Sequence, residues 1–213
     1  MAVAAFQVVR DMIRRELLDS IGSRWTDDEL DVYINIAQEV YARRTKVLKG
    51  EINIFHNGID FIYQTPADYL EATSFVLDDS VKTNIPITSW KFIAERHSPK
   101  WLTDQSDQPK YIVFDYEVWN RFRLYPNTNK VADTLLGTLK YSRLPAADTL
   151  EINNLQTIMY YALFRAYLKE RGGRYLFKAQ KYKRLFESEF QKYKSRSTGT
   201  LKSKAAYRKV RTF

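Results

Sequence analysis

Only two histidines, His56 and His97, stand among 213 residues, and there is no cysteine. His56 adjoins the turn-like Asn57-Gly58 and His97 precedes Ser98-Pro99; neither an HExxH nor a His-x-His spacing occurs, so zinc ligation and thiol chemistry are not indicated. Asp27, Asp28, Glu29 and Asp31 have the composition of a magnesium site. A helix start attracts carboxylates for dipole reasons alone, however, and Asp27, Asp28 and Asp31 do not converge as a ligand set must. Gly172-Gly173-Arg174 lacks both the Walker spacing and the strand-to-helix context of a phosphate loop, and no Gly-x-Ser-x-Gly elbow is present. The expectation is a protein that is not an enzyme and uses no metal and no cofactor.

Charge is the chemistry that remains. From Phe164 to Phe213 sixteen Lys/Arg face three acids, a net +13 in a chain of +9, so the first 163 residues sum to −4. The last stretch, Ser195 to Phe213, has no acid: Arg196, Lys202, Lys204, Arg208, Lys209 and Arg211 alternate with Leu201, Tyr207, Val210 and Phe213. Charges that pair with acids or phosphates, beside apolar residues that anchor, are what a segment ordering on a partner carries. The same basic end on nucleic-acid phosphates is the alternative reading, that of a nucleic-acid-binding protein. Tyr111, Phe114, Tyr116, Trp119, Phe122 and Tyr125 fall on adjacent predicted strands, but without an RNP-like Gly/aromatic phrase they read as core or subunit contacts rather than base-stacking platforms.

The elements before this segment must position it. Phe6, Val9, Ile13, Leu17 and Ile21 recur at three and four residues and predict a first helix closed near Ser20-Ile21-Gly22. Thr26 and Glu29 form a capping box, with Trp25 and Leu30 as its hydrophobic staple. A second helix follows through Leu30, Tyr33, Ile34, Ala37, Val40, Tyr41, Val47 and Leu48 to Lys49-Gly50, about 33 Å long, with Arg43 and Arg44 near its C-terminal end. Ile152, Leu155, Met159, Ala162 and Ala166 predict a third long helix, ended by Arg171-Gly172-Gly173. Leu176, Ala179, Tyr182, Phe186, Phe190 and Tyr193 predict the last, with Arg174, Lys178, Lys181 and Arg184 on its other sides, fading at residues 195–199.

Between the helical pairs the period falls to two. Ile52–Phe55 and Ile59–Tyr63 around Asn57-Gly58 predict a β-hairpin; strands follow over Glu71–Leu77, Asn84–Thr88, Lys110–Asp115, Val118–Tyr125 and Leu135–Ser142, with a short helix capped by Ser89. The expected fold is α+β: a helical bundle made by N- and C-terminal helical hairpins (1–50 and 150–194), an inserted antiparallel β module (51–149) and an extended basic arm (195–213) able to reach about 60 Å. With no run of eighteen apolar residues and no basic n-region, neither a membrane span nor a signal peptide is expected; the cysteine-free chain suits a reducing cytosol.

Several phrases, in order, resemble the head-to-tail adaptor (connector) proteins of tailed bacteriophages: Trp25-Thr26-Asp27-Asp28-Glu29-Leu30 with Asn35 and Ala37-Gln38, Tyr63 to Leu70, Gln108-Pro109-Lys110-Tyr111, Arg123-Leu124-Tyr125-Pro126-Asn127, Tyr160-Tyr161-Ala162-Leu163 and Tyr182-Lys183-Arg184-Leu185-Phe186. The resemblance implies a structural virion protein of the neck, assembled in the bacterial host cytoplasm. About a dozen copies would form a closed heterologous ring beneath the portal protein. Packaged DNA would pass through without sequence recognition, and a downstream tail or nozzle protein would join on the β module. On this reading Arg196, Leu201, Lys202, Lys204, Tyr207, Arg208, Lys209, Val210, Arg211 and Phe213 bind the portal, and Arg43, Arg44, Arg174, Lys178 and Lys181 meet neighbouring copies; no membrane is involved.

Overall fold

A computed structural model describes residues 2–19, 21–56, 61–97, 100–114, 120–147, 149–170 and 172–209, with side chains between Phe6 and Tyr193. Its five helices are α1 (Ala2–Leu17), α2 (Asp27–Thr45), α3 (Trp90–Arg96), α4 (Leu155–Lys169) and α5 (Gly173–Lys209). The chain divides into two units, residues 1–46 with 145–213, and residues 47–144.

In the first unit α4 lies against α1, α2 and α5. Its Ile158, Ala162, Leu163, Ala166 and Tyr167 are buried, as a helix with neighbours on several sides requires. The α1 stripe of Phe6, Val9, Ile13 and Leu17 is buried as expected, but the helix stops before Gly22. Leu18 takes the left-handed conformation (φ 56°), and the amides of Leu18 and Asp19 donate back to the carbonyls of Arg15 (3.3 Å) and Arg14 (3.2 Å) in a Schellman closure. The expected glycine stop is therefore wrong by several residues. Asp19 draws the chain away: its carboxylate accepts from the amides of Ser23 (3.0 Å), Arg24 (3.2 Å) and Trp25 (3.0 Å). Gly22 (φ 68°) instead bends the loop, and Ile21, expected on the buried stripe, is 87% exposed.

Helix α2 starts at the predicted cap. Thr26 Oγ1 accepts from the Glu29 amide at 3.3 Å, while Trp25 and Leu30 are both buried. The Glu29 carboxylate bonds Tyr33 Oη and Lys169 Nζ, each at 2.7 Å. The helix ends at Thr45, closed by a left-handed Lys46 whose amide reaches the Ala42 carbonyl at 2.7 Å; Lys49-Gly50, expected to end it, opens a strand. Asn154 caps α4 through the Thr157 amide (3.3 Å), so the buried Ile152 precedes that helix.

Helix α5 buries Ala179, Tyr182 and Phe186, whereas Leu176, expected on that side, is half exposed. The larger correction concerns its length. Helical backbone continues through the expected break at 195–199 to Lys209, so the described part of the arm is helical, not extended. No proline interrupts the chain, and the Leu, Lys, Ala and Arg residues after Thr200 are good helix formers; Ser195, Ser197, Thr198, Gly199 and Thr200 each cost at most about 1 kcal/mol against alanine. Cations at a helix C-terminus also complement its dipole. Val210, Arg211 and Phe213 lie outside the described residues.

The second unit contains β1 (Lys49–Phe55), β2 (Ile62–Gln64), β3 (Tyr69–Leu77), β4 (Asn84–Ile85), β5 (Ile87–Ser89), β6 (Gln105–Ser106), β7 (Tyr111–Phe114), β8 (Arg121–Tyr125), β9 (Asn127–Thr128) and β10 (Leu135–Arg143). Two four-stranded sheets, ordered β1-β10-β3-β4 and β2-β8-β7-β5, share a core around Phe75, Phe122, Leu124, Leu136 and Leu139. Most pairs are antiparallel; β5–β7 and β6–β9 are parallel. The expected 52–63 hairpin is not formed, because β1 pairs with β10 and β2 with β8 in the other sheet. Period-two patterning locates a strand without choosing its partner, and here both strands pair nonlocally, with Ile54 of β1 and Tyr63 of β2 in the shared core. Pro86 likewise splits the predicted 84–88 strand: Asn84–Ile85 joins β3, and Ile87–Ser89 joins β7. Gly137 lets β10 approach β3, since a Cβ there would stand 2.3 Å from the Val76 carbonyl oxygen.

Candidate assembly interface

Arg44, expected at a subunit contact, is engaged within its own helical unit. Its guanidinium forks onto Glu187 (2.8 and 2.7 Å) and lies 3.9 Å from the Phe190 ring centroid. The hydrogen bond from Arg44 holds the Glu187 carboxyl below the usual range, against the opposing effect of its partial burial. Arg43 pairs with Glu39 one turn back, at 2.7 Å. Along α5, Lys178 lies over Tyr167 (5.1 Å), and Lys181 and Arg174 are exposed. Arg44 meets α5 at Glu187, about 20 Å along the helix axis from Arg174, so these five cations do not form one patch.

The described arm residues Arg196, Leu201, Lys202, Lys204, Tyr207, Arg208 and Lys209 all stand on the α5 backbone helix. With 37 residues α5 is about 55 Å long, against about 22 Å for the 15 residues of α4. Since the two helices are joined end to end at Gly172-Gly173 and lie against each other, α5 overshoots α4 by more than half its own length.

The opposite end of α5 starts beside a hydrogen-bonded turn that sequence reading missed. Burial alone would raise the Asp19 carboxyl; hydrogen bonds from the amides of Trp25, Arg24 and Ser23 outweigh it and hold the group below its ordinary value. Arg14 donates to the carbonyls of Asp19 and Trp25 (both 3.1 Å) and pairs with Asp27. Arg24 ties this turn to the start of α5 through Tyr175 Oη at 2.9 Å and to the end of α4 through Glu170 at 3.3 Å. Trp25 Nε1 donates to the Ala166 carbonyl at 3.3 Å. Asp directly after a helical run, with Ser23 four residues on, was the available signal; it resembles an ordinary polar loop until the fold closes around it.

Gln38, fully buried, clamps the lead-in to α4 by donating to the Thr149 carbonyl and accepting from the Glu151 amide, both at 3.0 Å. Burial, then the Glu29 carboxylate, pushes the Tyr33 hydroxyl up to about 12. In the other unit His56 is buried with Nδ1 3.2 Å from Tyr63 Oη, and His97 packs 5.1 Å from Tyr111. Phe114, Phe122 and Tyr125 are buried there, while Tyr116 and Trp119 lie outside the described residues. Among the described residues no group of three or more His, Asp or Glu is placed to hold a metal, and no helix is long and apolar enough to cross a membrane.

No curated protein matches the chain. A family model does match, over residues 5–208, taking in both units and nearly all of α5. The chain belongs to the SU10 adaptor protein family, a family of phage head-to-tail adaptors.

Proposed function

We propose that this phage adaptor works as a ring of about a dozen copies seated beneath the portal, joining the capsid vertex to the tail around the DNA channel. In this reading α1, α2, α4 and α5 form a bundle that repeats around the channel, and the 47–144 unit is an insertion that offers a surface to the next tail component. The basic extension of α5 docks on acidic portal surfaces. Packaged DNA crosses the ring without sequence recognition, and assembly takes place in the bacterial host cytoplasm.

The reading is carried by one observation: the family match runs to residue 208 and so includes the acid-free extension of α5 together with the rest of the helical unit. Arg196, Lys202, Lys204, Arg208 and Lys209 lie on that extension, which reaches well past the end of α4.

Deleting 195–213 should leave the rest of the chain folded, with its thermal midpoint unchanged, and abolish co-sedimentation with the portal of the same particle at physiological salt. Retained portal binding after the deletion would overturn the assigned role of the extension. The +13 C-terminal segment also supports the nucleic-acid reading, which makes a distinct prediction. If about eight cations bound single-stranded nucleic acid, log K would fall with log salt at a slope of about −5 to −6, with or without portal.

A further inference from the structure

Beside the hydrogen bonds that Asp19 makes, the α1–α2 connection presents two aliphatic side chains to water. Leu18 is 89% exposed and Ile21 87%, while Asp19 between them is buried and holds three amides. Leu18 also occupies a left-handed position (φ 56°), where glycine or asparagine is less strained than leucine. Folding of the helical unit therefore gains nothing from leucine there.

On the far side of the same unit α5 carries a hollow of about 400 Å³, lined among the described residues by Phe177, Gln180, Lys181, Arg184, Leu185 and Ser188. Phe177 is 72% exposed. Turn and hollow stand at one level: Glu16, two residues before Leu18, bonds Tyr182 Oη, and Phe177 and Leu185 flank Tyr182 within about 8 Å along the helix. At about 3.6 residues per turn, Phe177, Arg184 and Ser188 point well away from the Tyr182 side that meets α1. A protrusion and a recess at the same height on opposite faces are what a heterologous, rotationally closed contact needs.

We propose that the Leu18–Ile21 tip of one copy seats in the Phe177–Leu185 hollow of the next copy, as the repeating lateral contact of the ring. The proposal rests on the ring reading above and names the residues that close it. Charge bears on the contact as well: Asp28, exposed in the first turn of α2, is an acidic counterpart to Lys181 and Arg184 on the rim of the hollow, while the exposed Arg24, nearer the tip, is engaged by Glu170 (3.3 Å) and Tyr175 Oη (2.9 Å).

The cysteine-free chain makes the contact testable by cross-linking. Full-length Ile21→Cys and Phe177→Cys chains are mixed, assembled with and without portal, and oxidised. The mixed disulfide dimer, identified by mass, should exceed by about tenfold that from Ile21→Cys mixed with Val131→Cys, a 79% exposed position in the other unit. Leu18→Asn should keep or raise the thermal midpoint while cutting ring yield about tenfold. Rings that form with the mixed dimer at the control level, or with undiminished yield in Leu18→Asn, overturn this contact and leave the ring reading intact. A chain that stays monomeric both alone and beside the portal overturns both.

Discussion

Helix α5 is one continuous element with two differently constituted halves. Over 173–193 aromatic and ionic contacts hold it: Tyr182 stacks on Tyr167 (5.6 Å between centroids, 8° between planes), Phe186 meets Tyr161 edge-on at 4.9 Å, and Arg44 forks onto Glu187. Over 194–209 no acid is present to pair with the cations, and Lys204 and Arg208 stand four residues apart, where like charges repel by a few tenths of a kcal/mol, about 0.2–0.5. This half is barely longer than the about 12–15 residues below which even alanine-rich isolated helices are marginal in water, so it gains most from continuity with the first. The contrast shows how a single helix can be packed at one end and rest on backbone propensity at the other.

Phe186→Ala would break the contrast most severely. Its ring is buried, and its loss should cost about 3–5 kcal/mol, a large part of the stability of an ordinary domain. Lys202→Ala with Lys204→Ala should change unfolding free energy by less than about 0.5 kcal/mol in the same denaturant titration. Comparable losses from the two variants would mean that both halves are held alike.

Acid should also separate them. Asp27 is held below the ordinary carboxyl value of 3.8 first by its hydrogen bond from Arg14, and Glu187 below 4.5 first by Arg44. Asp19 is depressed from 3.8 by backbone amides that outweigh its burial. Groups with lowered folded values contribute stability that is complete above 3.8–4.5 and lost as pH falls through the depressed values. Thermal midpoints followed from pH 7 to pH 2 should hold until about pH 4 and then decline. Helicity of 195–209, which contains no carboxylate, should show no direct titration there.

The smallest effect sharpens the comparison. Gly199→Ala removes a helix penalty of about 1 kcal/mol and should raise amide protection across 195–209 without moving the global midpoint. An unchanged protection pattern would show that intrinsic propensity does not limit this half.

Helix starts were the most legible part of the fold. Thr26 and Ser89 cap α2 and α3 where their side chains predict, because an N-cap bond joins atoms only three residues apart. Helix ends were less so: α1 closes at Leu18 because Asp19 gathers amides from a loop that is complete only after folding. Strand positions were legible from alternation, with the expected Glu71–Leu77 and Leu135–Ser142 falling within the observed Tyr69–Leu77 and Leu135–Arg143, but the partners of β1 and β2 were not. Of the candidate interface, the basic residues of the last segment could be found by composition. The Leu18–Ile21 tip could not, since Ile21 fits a helical stripe and only the left-handed Leu18 takes it off that stripe.

By itself the sequence determined the local events: where helices begin, where alternation makes strands, and the concentration of positive charge after Phe164. Tertiary structure decided which strands share a sheet, where α1 stops, and which face of α5 remains uncovered. Capping, period and charge act over a few residues and survive in isolation. Burial of Asp19, the split of β1 and β2 between sheets, and exposure of Leu18 and Phe177 depend on surfaces that exist only once distant segments have met.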